Sequence, residues 1–361
     1  MNKKIIALAV AAAAVVSTAT SVSAATVYQD GASKVTIGGR LAVRAEYTES
    51  VNDQDSTTKL ENNSSRINFG FEHEMVPGWI AGAKAEWGYD ALASGSQEFS
   101  NRLGNVYFLN EQVGTITLGK QWSTYYDITA WTDVFWIYGG EASGTYDGRA
   151  NEDGHGDSGT GRANEALSYR KSINGLNIGV QYQFEGDDIK TGLSTTHREY
   201  GLQSALSYDF DFGISLGGAY SLTKYEGQAD DKTWTLGALY QSDMLYVAGQ
   251  YGQYENHTSV NGNLKGVTNK AGVSGVAENA TGYEFIAAYL VNGGEYQVYG
   301  GYNGLEDDDT KAEYSYGLIG AAWTPGSMIF SAEYKLGVTD KDNLGNDSGA
   351  DQFAVLARYN F

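Results

Sequence analysis

The 361-residue sequence predicts an all-β fold, a 16-stranded antiparallel transmembrane β-barrel with an inward-folded constriction loop. Three features carry that reading. Apolar and polar residues alternate with a period of two along most of the chain, connections alternate between tight turns and long polar loops, and one long segment, 121–162, breaks the alternation.

The end of the chain shows the pattern most cleanly. Phe353, Val355, Ala357, Tyr359 and Phe361 interleave with Gln352, Ala354, Leu356, Arg358 and Asn360, as in a strand with one apolar face. The same phase returns in Met328, Phe330, Ala332, Tyr334, Leu336 and Val338, interleaved with Ser331, Glu333 and Lys335. It returns again in Leu176, Ile178, Val180, Tyr182 and Phe184, and in Leu245, Val247, Gly249 and Tyr251. Reading from the start, strands are expected near 33–47, 64–75, 78–88, 101–109, 112–120, 163–172, 175–184, 198–210, 212–224, 230–242, 243–254, 281–291, 294–305, 312–324, 327–339 and 349–361. Many approach the length that crosses a bilayer at a tilt, about 9–11 residues. Short turns such as Ile173-Asn174-Gly175, Ser242-Asp243 and Asn292-Gly293 sit between long loops such as 185–197 and 255–280.

A secreted β-sandwich would also alternate, but it would bury an apolar face between two sheets. Here the inward set includes Gln297, Tyr299, Gly301 and Asn303, a face that suits water. A barrel with an apolar outside and a wet inside accommodates both faces, and closure satisfies every backbone group in lipid. Tyr246, Tyr251, Tyr283, Tyr289, Tyr334 and Tyr359, near strand ends, are the candidates for an aromatic girdle. Sixteen strands leave an aqueous channel unless a segment narrows it, and 121–162 is the candidate for that plug or constriction.

Composition excludes other classes. With 24 Lys+Arg against 44 Asp+Glu, a formal charge of -20 and no basic block, the chain is a poor nucleic-acid binder. The absence of Cys removes disulfide scaffolds, zinc fingers and thiol chemistry. Residues 1–24 combine Lys3 and Lys4, an apolar stretch from Ile5 to Val16 and the small-residue end Val22-Ser23-Ala24, the pattern of a secretory signal peptide cleaved after Ala24. Cleavage removes two lysines and takes the formal charge to -22. The expected mature domain is 25–361.

Four histidines, His73, His155, His197 and His257, form no arrangement with a nucleophile, so neither an enzyme nor a cofactor is expected. His155, in Glu152-Asp153-Gly154-His155-Gly156-Asp157, reads as part of a solvated loop. Asp340-Lys341-Asp342-Asn343-Leu344-Gly345 has partial calcium-loop spacing but puts Leu344 where an oxygen ligand belongs, so no metal site is assigned. The acidic loops 306–309 and 340–351 could instead share divalent cations with lipopolysaccharide.

Within 121–162 the run Tyr126-Asp127-Ile128-Thr129-Ala130-Trp131-Thr132-Asp133-Val134, followed by Gly139-Gly140-Glu141 and Gly161-Arg162, resembles the third loop of the trimeric general porins of Gram-negative outer membranes. Tyr169-Arg170, the run from Gly175 to Gln183, the opening strand Val35 to Tyr47 and the terminal Phe361 resemble the same family. The resemblance implies a homotrimer integral to the cell outer membrane, in contact with lipopolysaccharide and lipid, and recognised by the barrel assembly machinery through Phe361. It implies passive diffusion of small hydrophilic solutes and ions. Carried over residue by residue, the constriction cations are Arg40, Arg66, Arg102 and Arg162, and the acids are Asp127, Asp133 and Glu141.

Strand phase supports part of this assignment. Arg40 and Arg44 lie opposite Val35, Ile37, Leu41 and Val43, Arg66 lies opposite Ile67, Phe69 and Phe71, and Arg162 is in phase with Asn164, Ser168 and Arg170. Phase leaves Arg102 undecided, because Val106 and Phe108 share its face while Leu103 and Tyr107 share the other. Opposed charges across a narrow watery gap would orient dipolar solutes; the competing reading has the arginines simply paired to lumen carboxylates. Where many members of the family carry a proline and a glutamate before the Gly-Gly turn, this chain has Phe135-Trp136-Ile137-Tyr138. The expected outcome is weak cation selectivity. The alternative is a sugar or oligosaccharide channel, which would need an aromatic slide, and Trp122, Trp131 and Trp136 are its candidates.

Overall fold

The computed structural model describes residues 24–146, 158–187, 189–191, 194–257, 264–270, 272 and 274–361. Residues 1–23 of the expected signal peptide and the stretch containing Glu152, Asp153, His155 and Asp157 lie outside the described residues.

Sixteen strands form the wall. They are β1 (Ser33–Thr48), β2 (Arg66–Val76), β3 (Trp79–Tyr89), β4 (Phe99–Asn110), β5 (Gly114–Trp122), β6 (Arg162–Ile173), β7 (Leu176–Gln183) and β8 (Arg198–Asp209). They continue as β9 (Ile214–Tyr225), β10 (Asp231–Gln241), β11 (Leu245–Glu255), β12 (Asn279–Val291), β13 (Tyr296–Asp307), β14 (Glu313–Trp323), β15 (Met328–Lys341) and β16 (Gln352–Asn360). Each pairs antiparallel with its neighbour in sequence, and β16 closes the wall on β1 through Arg40↔Asn360 to Thr48↔Gln352. The closure ends in a reciprocal pair: the Gly39 amide donates to the Phe361 carbonyl at 2.8 Å, and the Phe361 amide donates back at 3.0 Å. Beyond Phe361 the short strand Ala25–Gln29 takes over the edge of β1, from Ala25↔Ile37 to Gln29↔Lys34. The sixteen expected strands are therefore found, with end shifts of a few residues.

Both turn classes follow from local chemistry. Asn174 (φ 50°) and Gly175 (φ 85°) join β6 to β7 in the left-handed conformation that a two-residue hairpin requires and that Asn-Gly adopts at least cost. Such turns cluster at the end of the wall where Ala25 and Phe361 meet β1, and the longer connections leave from the other end.

The outward face is apolar, as the alternation requires: Leu41, Phe71, Val106, Phe108, Leu118, Leu206, Val298 and Ile319 are all exposed on the outside of the wall. Tyr251, Tyr283, Tyr289, Tyr334 and Tyr359 are exposed too. Tyr246 is the exception and corrects the girdle assignment. It is fully buried inside, with its hydroxyl donating to the Trp131 carbonyl at 2.7 Å. The inner face is also less uniformly polar than expected. Tyr246, Ala248, Ile286, Ala288, Leu290 and Leu318 point inward and form a core with Tyr125, Ile128 and Trp131 of the long loop. The continuous apolar run Phe285 to Val291 carries the reason, since a strand apolar in both phases has both faces covered.

Candidate functional site

One side of the lumen carries a belt of guanidinium groups at a common height. Arg40 on β1 lies directly opposite Arg66 on β2, and Arg66 reaches Glu86 on β3 at 3.3 Å. Glu86 also accepts from Nε of Arg102 on β4 at 2.8 Å, so one carboxylate sits between two arginines. Arg162 on β6 is buried with its guanidinium 5.4 Å from the centre of the Trp122 ring.

Two irregularities in the wall build this belt. In the β3–β4 pair Glu86 faces Leu103 while Trp87 faces Asn101, so Arg102 is the extra residue of a β-bulge. The bulge resets the alternation, which is why Phe99 before it and Phe108 after it both point outward and why strand phase could not place Arg102. The second is a break ahead of β2, where Ser64 takes φ 59°. It turns the Ser64 carbonyl toward Nε of Arg40, which donates to it at 2.9 Å. The segment Thr57–Asn62 then resumes pairing with the outer half of β1, from Val43↔Asn62 to Thr48↔Thr57.

The loop enters the lumen at Trp122. Its two arms are tied at the neck, where the Ser123 amide donates to the Gly161 carbonyl at 2.9 Å and the Ser123 hydroxyl to the Thr160 carbonyl at 2.6 Å. A single helical turn, α1 (Tyr126–Thr129), follows. Burying Tyr125, Ile128 and Trp131 against the inner wall is worth about 1.5–3 kcal/mol for each side chain. That is the reason this loop folds inward and not out into water.

The three acids fall in different places. Asp127 turns to the wall and pairs with Nε of Arg170 at 2.8 Å, apart from the belt. Asp133 accepts from the hydroxyls of Tyr126 at 2.8 Å and Tyr146 at 2.5 Å. Tyr126 stacks on Trp122 with ring centres 4.0 Å apart, so Arg162, Trp122, Tyr126 and Asp133 form a continuous stack from wall to loop. Glu141 pairs with Lys335 of β15 at 3.1 Å. Trp131 of the loop is buried against the inner wall, and the Trp136 indole donates to Gln297 at 3.1 Å.

The aromatic tip is held by groups that motif comparison missed. Glu333 of β15 accepts the amides of Trp136, Ile137 and Tyr138 at 2.8, 3.2 and 2.9 Å and the Tyr299 hydroxyl at 2.8 Å. Cations cover the tip's rings: Arg358 lies 5.7 Å from Trp136, and Arg44 and Lys335 lie 5.9 and 5.1 Å from Tyr138. Further along, Glu284 of β12 accepts from Thr132 at 2.5 Å and from the Ala142 amide at 2.8 Å. Gly282 makes room beside it, since a Cβ there would stand 2.0 Å from the Ala142 carbonyl oxygen. The available signal was a lone carboxylate at an inward position of an otherwise apolar strand, as in Gly282, Glu284, Ile286 and Ala288.

A closed wall of sixteen strands, a docked internal loop and a belt of lumen cations delimit a narrowed channel. A family model described as Gram-negative porin matches residues 7–361. The chain belongs to the Gram-negative porins. Among relatives of this porin, outer membrane porin F of Xenorhabdus nematophila is 28% identical over 282 residues, covering 72% of this chain and 71% of its own. Porin-like protein L of Photobacterium profundum is 29% identical over 385 residues, covering both chains in full. Of solved structures, OmpF of Salmonella typhi in complex with daunomycin superposes with a TM-score of 0.75 at 22% identity, over 93% of this chain and all of that one. The porin is an integral outer-membrane β-barrel, a channel for passive diffusion and not an enzyme.

Proposed function

We propose that the channel passes small hydrophilic solutes and ions through a constriction with a transverse field, positive along Arg40, Arg66, Arg102 and Arg162 and negative on the loop at Asp133 and Glu141. The observation that carries this is the belt itself, with the loop-borne Asp133 linked to Arg162 through the hydroxyl of Tyr126 and the ring of Trp122. Asp127, paired with Arg170, contributes to the loop's seat and only weakly to the field. Opposed charges across water orient a dipolar solute and raise the barrier for an apolar one, which must displace aligned water.

Selectivity is the balance of two regions. The formal charge of -22 after removal of residues 1–24 draws cations to the mouths, while the belt favours anions at the waist, leaving weak cation preference. Trimerisation is supported by the smooth outward stripe Ala81, Ala83 and Ala85 of β3, bordered by Phe69, Phe71, Val106 and Phe108. Lipopolysaccharide at the acidic outer loops and the assembly machinery at Phe361 complete the proposed partners.

Single-channel recording in a planar bilayer under a potassium chloride gradient tests this. Conductance steps grouped in threes and a small cation-favouring reversal potential are expected. Absent conductance would mean that the loop plugs the barrel, and anion preference would mean that the belt outweighs the acids.

A further inference from the structure

The last strand carries a charge that the porin's motif resemblance does not assign. Arg358 of β16 lies opposite Ala42 of β1, two residues from Arg40 on the same inward face. Its Nε donates to Asn360 at 2.6 Å, and its guanidinium covers the Trp136 ring at 5.7 Å. Trp136 is in turn fixed by the Glu333 carboxylate at its amide and by Gln297 at its indole nitrogen. An indole face attracts a guanidinium through its quadrupole while leaving the positive charge uncancelled, which a carboxylate would not do. An aromatic tip in place of an acidic one therefore holds a cation at the waist with its field intact.

We propose that Arg358 is a selectivity-determining residue of this channel, a fifth cation of the belt positioned by Trp136, which lowers cation permeation and favours solutes bearing an anionic group. This deepens the field reading and rests on it. The belt then extends from β16 through β1 and β2 to β4 and β6, and the loop tip that narrows the pore carries one of its charges on its own aromatic face.

Because the chain has no cysteine, Arg358→Cys places a single thiol in the folded, bilayer-inserted channel. Under a potassium chloride gradient its reversal potential should move toward cation preference by roughly sevenfold in permeability ratio, because a unit charge about 7 Å from the ion path in water shifts cation and anion by about RT each in opposite directions. A cationic methanethiosulfonate added to the inserted channel should restore the wild-type value, and an anionic one should push it further the other way. Trp136→Leu should move the value in the same direction as Arg358→Cys and by less. A wild-type potential in Arg358→Cys, unchanged by either reagent, overturns the proposal. Arg40→Cys, treated identically, separates the two failures: a response there alone sinks only the role of Arg358, and silence at both positions sinks the field reading with it.

Discussion

The carboxylate of Glu333 accepts the backbone amide of Tyr138 at 2.9 Å, a bond from the wall to the tip of the internal loop across 195 residues of sequence. With the Trp136 and Ile137 amides on its other oxygen, it acts as the loop's anchor. A hydrogen bond to a charged acceptor contributes about 1.5–3 kcal/mol, so this one residue rivals the apolar burial of the loop. Glu333→Ala should free the tip, giving a larger and noisier open-channel current in single-channel records. A current indistinguishable from wild type would show that the apolar contacts alone suffice.

Glu86 is the shared counter-charge of Arg66 and Arg102. Glu86→Gln leaves both arginines at the waist without it, so the reversal potential should shift toward anion preference by roughly sevenfold in permeability ratio, cation and anion each shifting by about RT in opposite directions for a charge about 7 Å from the path. The same measurement on Glu61→Gln, whose partner is Arg44, provides a comparison outside the belt.

Gly282 allows the return arm of the loop to lie on β12. Gly282→Ala forces a Cβ to within 2.0 Å of the Ala142 oxygen, where neither backbone can yield easily. Overpacking of this kind costs about 1–3 kcal/mol, and the refolded barrel should lose its compact, heat-modifiable band at a lower temperature. Gly31→Ala, with nothing within 4 Å of the added carbon, should leave the band unchanged.

The loop after β15 is organised by two carboxylates. Asp342 accepts from the Leu344 and Asn346 amides at 2.8 and 2.9 Å, and Asp347 from the Asp340 and Gly349 amides at 2.9 Å each. These bonds hold both groups below the ordinary value of 3.8, led by the Asn346 side chain for Asp342 and by the Asp340 amide for Asp347. Groups lowered on folding stabilise the ordered loop above pH 3.8 and lose that contribution as pH falls through their folded values. Amide exchange over 340–349, referenced to a wall peptide, should therefore accelerate only below about pH 4, and Asp342→Asn should weaken the transition.

Much of this porin was legible in one dimension. A strand with one apolar face writes its phase into alternate residues, so the sixteen strands, their turns and the inward direction of Arg40 and Arg66 could be read directly. The bulge that turns Arg102 inward could not, because one inserted residue resets the phase without changing composition. Nor could the pairing of Asp127 with Arg170, since a motif names residue types and not their partners.

By itself the sequence determined the barrel, the direction most wall residues face and which segment leaves the wall, because these depend on periodicity and local turn chemistry, whereas Arg102 and Tyr246 took their direction from the bulge and the docked loop. Tertiary structure alone decided where the loop rests. Glu333, Glu284 and Arg358 stand far along the chain from the residues they hold, and only closure of the wall brings β12, β15 and β16 around the same lumen. A buried carboxylate or guanidinium is stabilised by whatever dipole or ring faces it, and that partner is set by the closed geometry of the whole sheet.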